Sequence, residues 1–459
     1  MRFTRHEEAE EHHETFEFLM RSYKGGDEYR EGKYLKKREL EESSVYEDRL
    51  EEAEFDNMCA PVVDIYTSYL MNSKIGRDYG NLSGTIFEEF LADADFEGRS
   101  YESFWRVNSR LASIQGVVGI LVDKPVSNAK TRADEIASNI RPYFVSYNAE
   151  SIFDWKFERI GGKVMLTRLV LEEESGIKDV EQFREITMTE WKVWHQAKGT
   201  EEPEIIDGGI NPLNEIPFVP LRNRDCGERM GGLSDISDIA GLNKRVYNID
   251  SDIDQIRGRA ALPFLQVPKS PGSNETVIIS LSTVFEFDPD NPQSRASWLE
   301  PNLSSIDSSL KQREVVVNGI EKMAKLGGDA IRSAQSGVSL EIKFQQLNAL
   351  LTEKAEMMQD AELRCLRFFD MWMGGNGDTG AVIDYPDSFG VRDMQGDIDT
   401  AIKANTLIKS KVFSVEKSME IVNRYLNDPT QETMDAIRKD LEGASTIDLL
   451  NVNSNGAAQ

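Results

Sequence analysis

The sequence predicts an α+β protein, on three observations. The longest periodic run starts at Leu340 and sets Phe344, Leu351, Met358, Cys365 and Trp372 seven residues apart, as one face of a long helix does. Two shorter helical runs lie upstream of it and enclose a β-branched, aromatic stretch at residues 276–287. The first half of the chain carries short apolar or alternating segments punctuated by glycine, the texture of an antiparallel sheet.

In chain order, residues 55–91 read as helix, with Met58, Val62, Ile65, Tyr66 and Tyr69 on one face, and residues 104–114 add another. Residues 116–123 form a short apolar strand. Residues 155–160 and 163–171 flank Gly161 and Gly162, a two-residue hairpin signature whose turn needs positive φ. Residues 185–195 alternate as one further strand, and residues 218–221 close the set, held to a sheet edge by Pro217 and Pro220.

Next, Ile236, Ile239, Leu242, Val246, Ile249, Ile253 and Ile256 keep one helix face apolar, while Asp235, Asp238, Lys244, Arg245, Asp250, Asp252 and Asp254 take the other. Ser234 is the expected N-cap, and Pro263 follows the end. A second helix over 304–326 carries Ile306, Leu310, Val317, Ile320 and Met323. Residues 326–339 are small and polar, a connection that packs little. The long helix follows over 339–373, its companion row of Leu340, Leu347, Ala361 and Phe368 interrupted only by Lys354. A glycine-rich breaker at 374–380 leads to a strand over 381–385 and short helices over 397–407, 414–427 and 430–442; residues 451–459 read as a frayed tail.

Composition excludes several classes. At 459 residues and 39% hydrophobic content the chain can bury a sizeable core, and its length predicts two or three domains. No apolar run reaches the ~20 residues of a membrane span, and the start lacks a signal core, so a soluble, intracellular protein is expected. Cys59, Cys226 and Cys365 have no metal or disulfide spacing and read as reduced packing residues. The formal net charge of −27 argues against adhesive wrapping of nucleic acid. His6, His12 and His13 lack the spacing of a metal site, and Lys24, Arg30, Lys33, Lys36, Lys37 and Arg38 read as partners of the acids around them. No phosphate-binding loop, nucleophile elbow, paired Cys-x-x-Cys or dinucleotide fingerprint is present, so no enzyme activity, cofactor or metal is expected.

The order of these elements resembles the portal proteins of tailed bacteriophages. The resemblance rests on Gly232 onward (GLSDISDIAGLNKRVYNIDSDID), the excursion, the second helix, the polar loop and Ser336 onward (SGVSLEIKFQQLNALLTEKAEMM), with Tyr23 to Gly26, Tyr34 to Arg38 and Asn214 to Asn223 (NEIPFVPLRN) as supporting phrases. It spans most of the chain, and its strength lies in order, since no single phrase is strict. The segment after Met394 is short where many portals carry a larger crown.

The resemblance implies a portal-type fold: an N-terminal wing (1–231), a stem helix (232–267), a β-containing clip (268–300), a second stem helix (301–326), a tunnel loop (327–338), a long wing helix with a returning strand (339–395) and a crown-like helical region with a tail (396–459). It implies a homo-oligomeric ring, a dodecamer, at one capsid vertex of a virion made in the host bacterial cytoplasm. The partners implied are the terminase large subunit, head-tail adaptor and tail proteins, the major capsid or scaffold protein, and non-sequence-specific double-stranded DNA, with no membrane. The loop riding on DNA would comprise Gly327, Gly328, Asp329, Arg332, Ser333, Gln335 and Ser336, with Asp329, Arg332 and Ser333 its main contacts. The stem helices are expected to pack their apolar stripes between subunits and turn their polar faces to the lumen. Two rivals remain: an α+β intracellular enzyme such as a metal-dependent nuclease, and a non-portal coiled-coil structural protein.

Overall fold

The computed structural model describes residues 3–126, 134, 138, 140–197, 202–260, 264–266, 297–299, 304–324, 337–386, 389, 403, 408, 410–425 and 431–443. The chain is α+β and divides into two compact units, Met1–Phe389 and Gly390–Gln459.

The first unit opens with helices α1 (Glu7–Lys24), α2 (Gly26–Glu31) and α3 (Ser43–Glu52). Their charges pair locally, as expected: Lys24 with Glu28 at 2.7 Å and Arg30 with Asp27 at 2.9 Å. Helix α4 (Cys59–Met71) starts where the Asn57 side-chain oxygen accepts from the Cys59 and Ala60 amides at 3.0 and 2.9 Å, and it buries Val62, Val63, Tyr66 and Leu70. The single helix expected over 55–91 is therefore broken. Strand β1 (Gly76–Asp78) intervenes before α5 (Thr85–Ala92), because residues 76–78 pair antiparallel with a strand 300 residues away, an exchange that local periodicity cannot register.

Helix α6 (Tyr101–Gln115) is capped by Ser100, whose Oγ accepts from the Ser103 amide at 3.3 Å. It leads into β2 (Val117–Asp123), the centre of a three-stranded antiparallel sheet between β3 (Tyr143–Asn148) and the later β9 (Phe218–Arg222). Strand β2 reads as continuous apolar sequence because six of its seven residues are buried. Strand β9 occupies the edge expected of its proline.

A five-stranded antiparallel sheet in strict order follows: β4 (Ile152–Ile160), β5 (Lys163–Glu173), β6 (Val180–Thr187), β7 (Glu190–Ala197) and β8 (Glu204–Ile210). Gly161 and Gly162 turn the first hairpin at φ 58° and 84°, as predicted. The one strand expected over 185–195 is instead the end of β6 and most of β7, with Ile186 opposite Trp191. The turn there contains no glycine: the Thr187 Oγ1 accepts from the Glu190 amide at 3.1 Å, so a side chain performs the reversal.

Helices α7 (Ser237–Ala260) and α8 (Ser304–Met323) enclose a small antiparallel ribbon, β10 (Phe264–Gln266) with β11 (Ser297–Leu299). The expected strand at 276–287 lies outside the described residues. Helix α9 (Gly337–Trp372) has 36 residues and spans ~54 Å. Its seam residues Leu347, Leu351, Met358, Ala361, Cys365 and Phe368 are all buried, in one core with Val63 and Leu70 of α4, Phe104 and Trp105 of α6, and Val118 and Ile120 of β2. The Trp372 indole donates to the Val122 carbonyl at 2.7 Å and pins the end of α9 to the sheet. Strand β12 (Val382–Asp384) then returns to pair with β1.

In the second unit α10 (Lys411–Tyr425) and α11 (Gln431–Gly443) pack together, with Arg438 paired to Glu416 at 2.6 Å. The helix expected over 397–407 lies almost wholly outside the described residues.

One backbone contact ties the sheet to the start of α7. Gly116 stands at φ 91°, its carbonyl accepts from the Asn223 amide at 2.8 Å, and a Cβ built on it would lie 2.1 Å from the Gly232 carbonyl oxygen. Gly116→Ala is expected to cost about 2–4 kcal/mol, because both the φ and the rigid neighbour oppose a side chain. Gly241→Ala, on α7 with open space around it, is expected to gain about 0.5–1 kcal/mol. Urea midpoints of the two variants measure this, and an unchanged midpoint for Gly116→Ala would contradict the close approach.

Candidate functional site

Helices α7 and α8 form the element around which the rest is arranged. They run antiparallel: the Arg313 Nε donates to the Asp250 carboxylate at 2.6 Å, and Gly319 lies against Leu242. Arg313 also reaches Asp56 at 3.0 Å, and its hydrogen bond to Asp250 is the main reason its pKa is raised.

The two faces of α7 differ from the expectation. Its apolar residues Ile239, Val246 and Ile253 are buried, and Ile239 and Val246 share a core with Val316 and Ile320 of α8. Ile236, Ile239, Val246 and Ile253 are thus covered within one chain, where the stripe was expected to pack between subunits, while Leu242, Ile249 and Ile256 stay half-buried. The polar face is largely engaged as well. The Asn243 side chain donates to the Asp56 carbonyl at 2.8 Å and accepts from the Met58 amide at 2.9 Å, and Asn248 accepts from the Lys36 amide at 2.7 Å. Asp252 pairs with Arg38, and Ser251 lies 3.3 Å from Arg49. Arg49 grips Glu41 through two 2.9 Å bonds, which hold the Glu41 carboxyl below its ordinary value. These contacts clamp α7 to the N-terminal segment.

What α8 leaves outward is a mixed face. Leu310, Val315 and Met323 are 47%, 70% and 52% exposed, interspersed with exposed Asp307, Lys311, Glu314 and Lys322. Apolar side chains at that exposure on a helix already paired on its other side are available to a partner.

The base of the hairpin rests on a buried ionic junction. Asp235, just before α7, does not lie on a solvated face: its carboxylate is fully buried and meets the Lys354 Nζ at 2.5 Å. The Ser113 hydroxyl donates to the same carboxylate, the Arg224 Nε approaches it at 3.7 Å, and the Asp235 amide donates to the Ser113 carbonyl at 2.9 Å. Lys354 also sits over the Tyr66 ring at 5.3 Å, and the Tyr66 hydroxyl donates to the Ala324 carbonyl at the end of α8. Burial first, then the Asp235 charge, pushes the Tyr66 hydroxyl well above its ordinary value, so it stays a neutral donor. Lys354, which interrupts the apolar row of α9 in sequence, is thus an inward-facing counter-ion. Ser234 is not the N-cap expected of it: it lies two residues before Ile236, whose carbonyl accepts the first helical bond, from the Ala240 amide at 2.8 Å. The Ser234 hydroxyl accepts from the Ile236 amide at 3.1 Å and donates to the Ile114 carbonyl at 2.6 Å, tying the turn to α6.

A second buried junction lies two turns further along α9. The Glu362 carboxylate accepts two 3.0 Å bonds from Arg77 on β1, one at 3.2 Å from Tyr101 and one at 2.5 Å from Tyr385. Burial, then the Glu362 charge, raises both tyrosine hydroxyls well above their ordinary range, which keeps them donors. Neither junction was anticipated; the available signals were a lysine inside an apolar heptad row and an aspartate in a helix start.

Of the loop residues predicted to contact DNA, Gly327, Gly328, Asp329, Arg332, Ser333, Gln335 and Ser336, all lie outside the described residues, as does most of 268–300. Among the described residues no group of three or more His, Cys, Asp or Glu is placed to hold a metal ion, and no helix is long and apolar enough to cross a membrane. Cys59 and Cys365 are buried and unpaired with each other, and burial pushes the Cys59 thiol up to about 12.

No protein-family model matches the chain, and no curated protein does. Three similar solved chains come from a gene transfer agent particle: the neck of the empty particle computed with C6 symmetry (9% identity, TM-score 0.37, covering 74% of this chain and 83% of that one), the virion of the native particle (9%, 0.35, 82% and 88%), and the neck of the native particle computed with C12 symmetry (8%, 0.40, 78% and 88%). These distant likenesses carry no functional argument.

The first junction makes a quantitative prediction. Lys354→Ala leaves the Asp235 carboxylate buried without its close partner and is expected to cost about 3–5 kcal/mol, whereas an apolar replacement of both charges is close to neutral. In a cycle of Lys354→Met, Asp235→Asn and the double variant, followed by urea unfolding, a coupling of at least about 2 kcal/mol is expected. Additive single effects would show that the two groups do not act as a pair.

Proposed function

We propose that this chain is the portal subunit of a tailed-phage-type particle: one copy of a ring at a capsid vertex through which DNA enters and leaves, and to which a separate packaging motor and later adaptor or tail proteins attach. The observation that carries this reading is the antiparallel pair α7–α8, joined through the β10–β11 ribbon and followed in the chain by the 36-residue helix α9 through the core of the α+β body. That order of outgoing helix, β excursion, returning helix, polar loop and long helix is the order in which the sequence resembles portal proteins.

In this reading α7 and α8 are the stem, the segment between them is the clip that meets motor and adaptor, and residues 396–459 form a small crown-like region. Intersubunit packing falls to the outward face of α8, where Leu310, Val315 and Met323 are exposed, because much of the stripe of α7 and the seam of α9 are consumed within the chain. The polar connection containing Asp329, Arg332 and Ser333 contacts the duplex weakly and without reading sequence, since phosphate contacts position but do not specify. The excess of acids, 80 against 53 basic residues, suits a surface past which a polyanion must slide.

Native mass spectrometry tests the ring. Twelve copies of the 51.9 kDa chain give a closed assembly of about 620 kDa. A chain that stays monomeric at micromolar concentration in every buffer tried would end the proposal. A second expectation concerns the loop: deleting residues 329–335 removes little apolar surface, so rings form and enter capsids, but the particles remain empty or partly filled. Full-length packaged genomes at wild-type yield would reduce the loop to a connector.

A further inference from the structure

The five-stranded sheet ends in two edges that differ in an informative way. Strand β8 is one edge: it runs for seven residues, all but one of them exposed, and carries neither lysine nor proline. Ile205, Ile206 and Ile210 are 49%, 49% and 80% exposed and Gly208 is exposed between them, while Gly209 lies under the Trp191 indole. Natural edges are normally blunted by lysine, proline, brevity or a covering loop. Among the described residues no strand pairs with the outer side of β8.

Strand β4 is the other edge. Its first residues are covered by the N-terminal segment, where the His6 amide donates to the Phe153 carbonyl at 2.9 Å and the His6 ring stacks on Trp155. Residues 156–160 pair only with β5 among the described residues, and Lys156, Glu158, Arg159 and Ile160 are exposed.

We infer that β8 of one copy adds to the free half of β4 in a neighbouring copy, making the five-stranded sheets continuous around the assembly. Two observations choose this occupant. The first is direction. In an antiparallel sheet of five strands the first and last run the same way, and a twelvefold ring turns each copy by only about 30° relative to its neighbour, so β8 meets β4 as a parallel pair. The second is charge. The parallel register that sets Asp207 beside Arg159 brings Glu204 to the level of Lys156 across the β8 bulge at Ile206, and Lys156 already pairs with Glu158 at 2.7 Å, so the Asp207–Arg159 match carries the register. Gly208 then faces Ile160, placing the uncovered backbone against an apolar side chain. Main-chain bonds would supply the adhesion, as in strand addition generally, and the exposed ion pair would fix register more than affinity.

The parallel sense rests on the ring reading above, and the experiment separates the two. In the full chain with Cys226→Ser, the double variant Asp207→Cys/Arg159→Cys is treated with a mild oxidant and run on a non-reducing gel. A ladder of covalent multimers from the double variant, absent from each single variant, is expected. Cross-linking of Asp207→Cys alone would overturn the inference in favour of a two-fold β8–β8 contact. No ladder, while native mass spectrometry still shows a ring, would overturn the strand pairing and leave the ring; no ladder and no ring would overturn both. Charge exchange gives an independent check that does not depend on the new thiols. Asp207→Arg is expected to raise the concentration needed for assembly by about three- to fivefold, and adding Arg159→Asp to restore it. Equal assembly by all three chains would overturn the proposed register.

Discussion

The base of the α7–α8 hairpin is set on one buried ion pair, Asp235 with Lys354. Five elements converge there: the end of α6 through Ser113, the start of α7 through Asp235, α9 through Lys354, α4 through Tyr66, and the end of α8 through the Ala324 carbonyl that Tyr66 holds. A hydrophobic contact at this place would be stronger per buried atom but would tolerate sliding. An ion pair with defined hydrogen bonds does not, since a small displacement leaves a charge unpaired in low dielectric.

The Glu362 junction does the same for the far side of α9. Arg77 reaches it from β1, and Tyr385 from just beyond β12, so the pairing of two three-residue strands is reinforced by side chains that end on a single carboxylate. Two such short strands alone would contribute little. Together with the Trp372 bond to Val122, the junction fixes α9 against β1, β2 and β12 along its second half. The long helix is therefore a spine inside one chain, and its seam is not an intersubunit zipper.

How much of this could be read from the sequence follows from the range of the forces concerned. The α9 seam, the hairpin at Gly161 and Gly162, strand β2 and the α7 stripe were legible because periodicity and turn chemistry act over a few residues. The break in the helix expected over 55–91 was not, because it is made by pairing with Val382–Asp384. The β6–β7 turn escaped because Thr187, and no glycine, closes it. Asp235 and Lys354 each looked like an ordinary polar residue, and only folding shows that each is the other's solvent. Of the candidate site, the loop residues from Gly327 to Ser336 remain a reading of sequence, while the helices α8 and α9 on either side of them stand in the structure.

The same distinction bears on how copies of this chain would meet. Long-range contacts have already used much of the apolar stripes of α7 and α9, so among the described residues the surfaces open to a partner are modest and mixed, such as the α8 face with Leu310, Val315 and Met323, strand β8 and the free half of β4. None is a continuous apolar surface of the kind that makes an obligate, core-like interface. A chain that must fold first and close into a ring afterwards is better served by such surfaces, because a free copy exposes little that would aggregate. Closure then comes from repetition. In the proposed ring each copy would contribute one donor edge and one acceptor edge, and a heterologous contact that is weak alone would become stable when the last copy completes the circle.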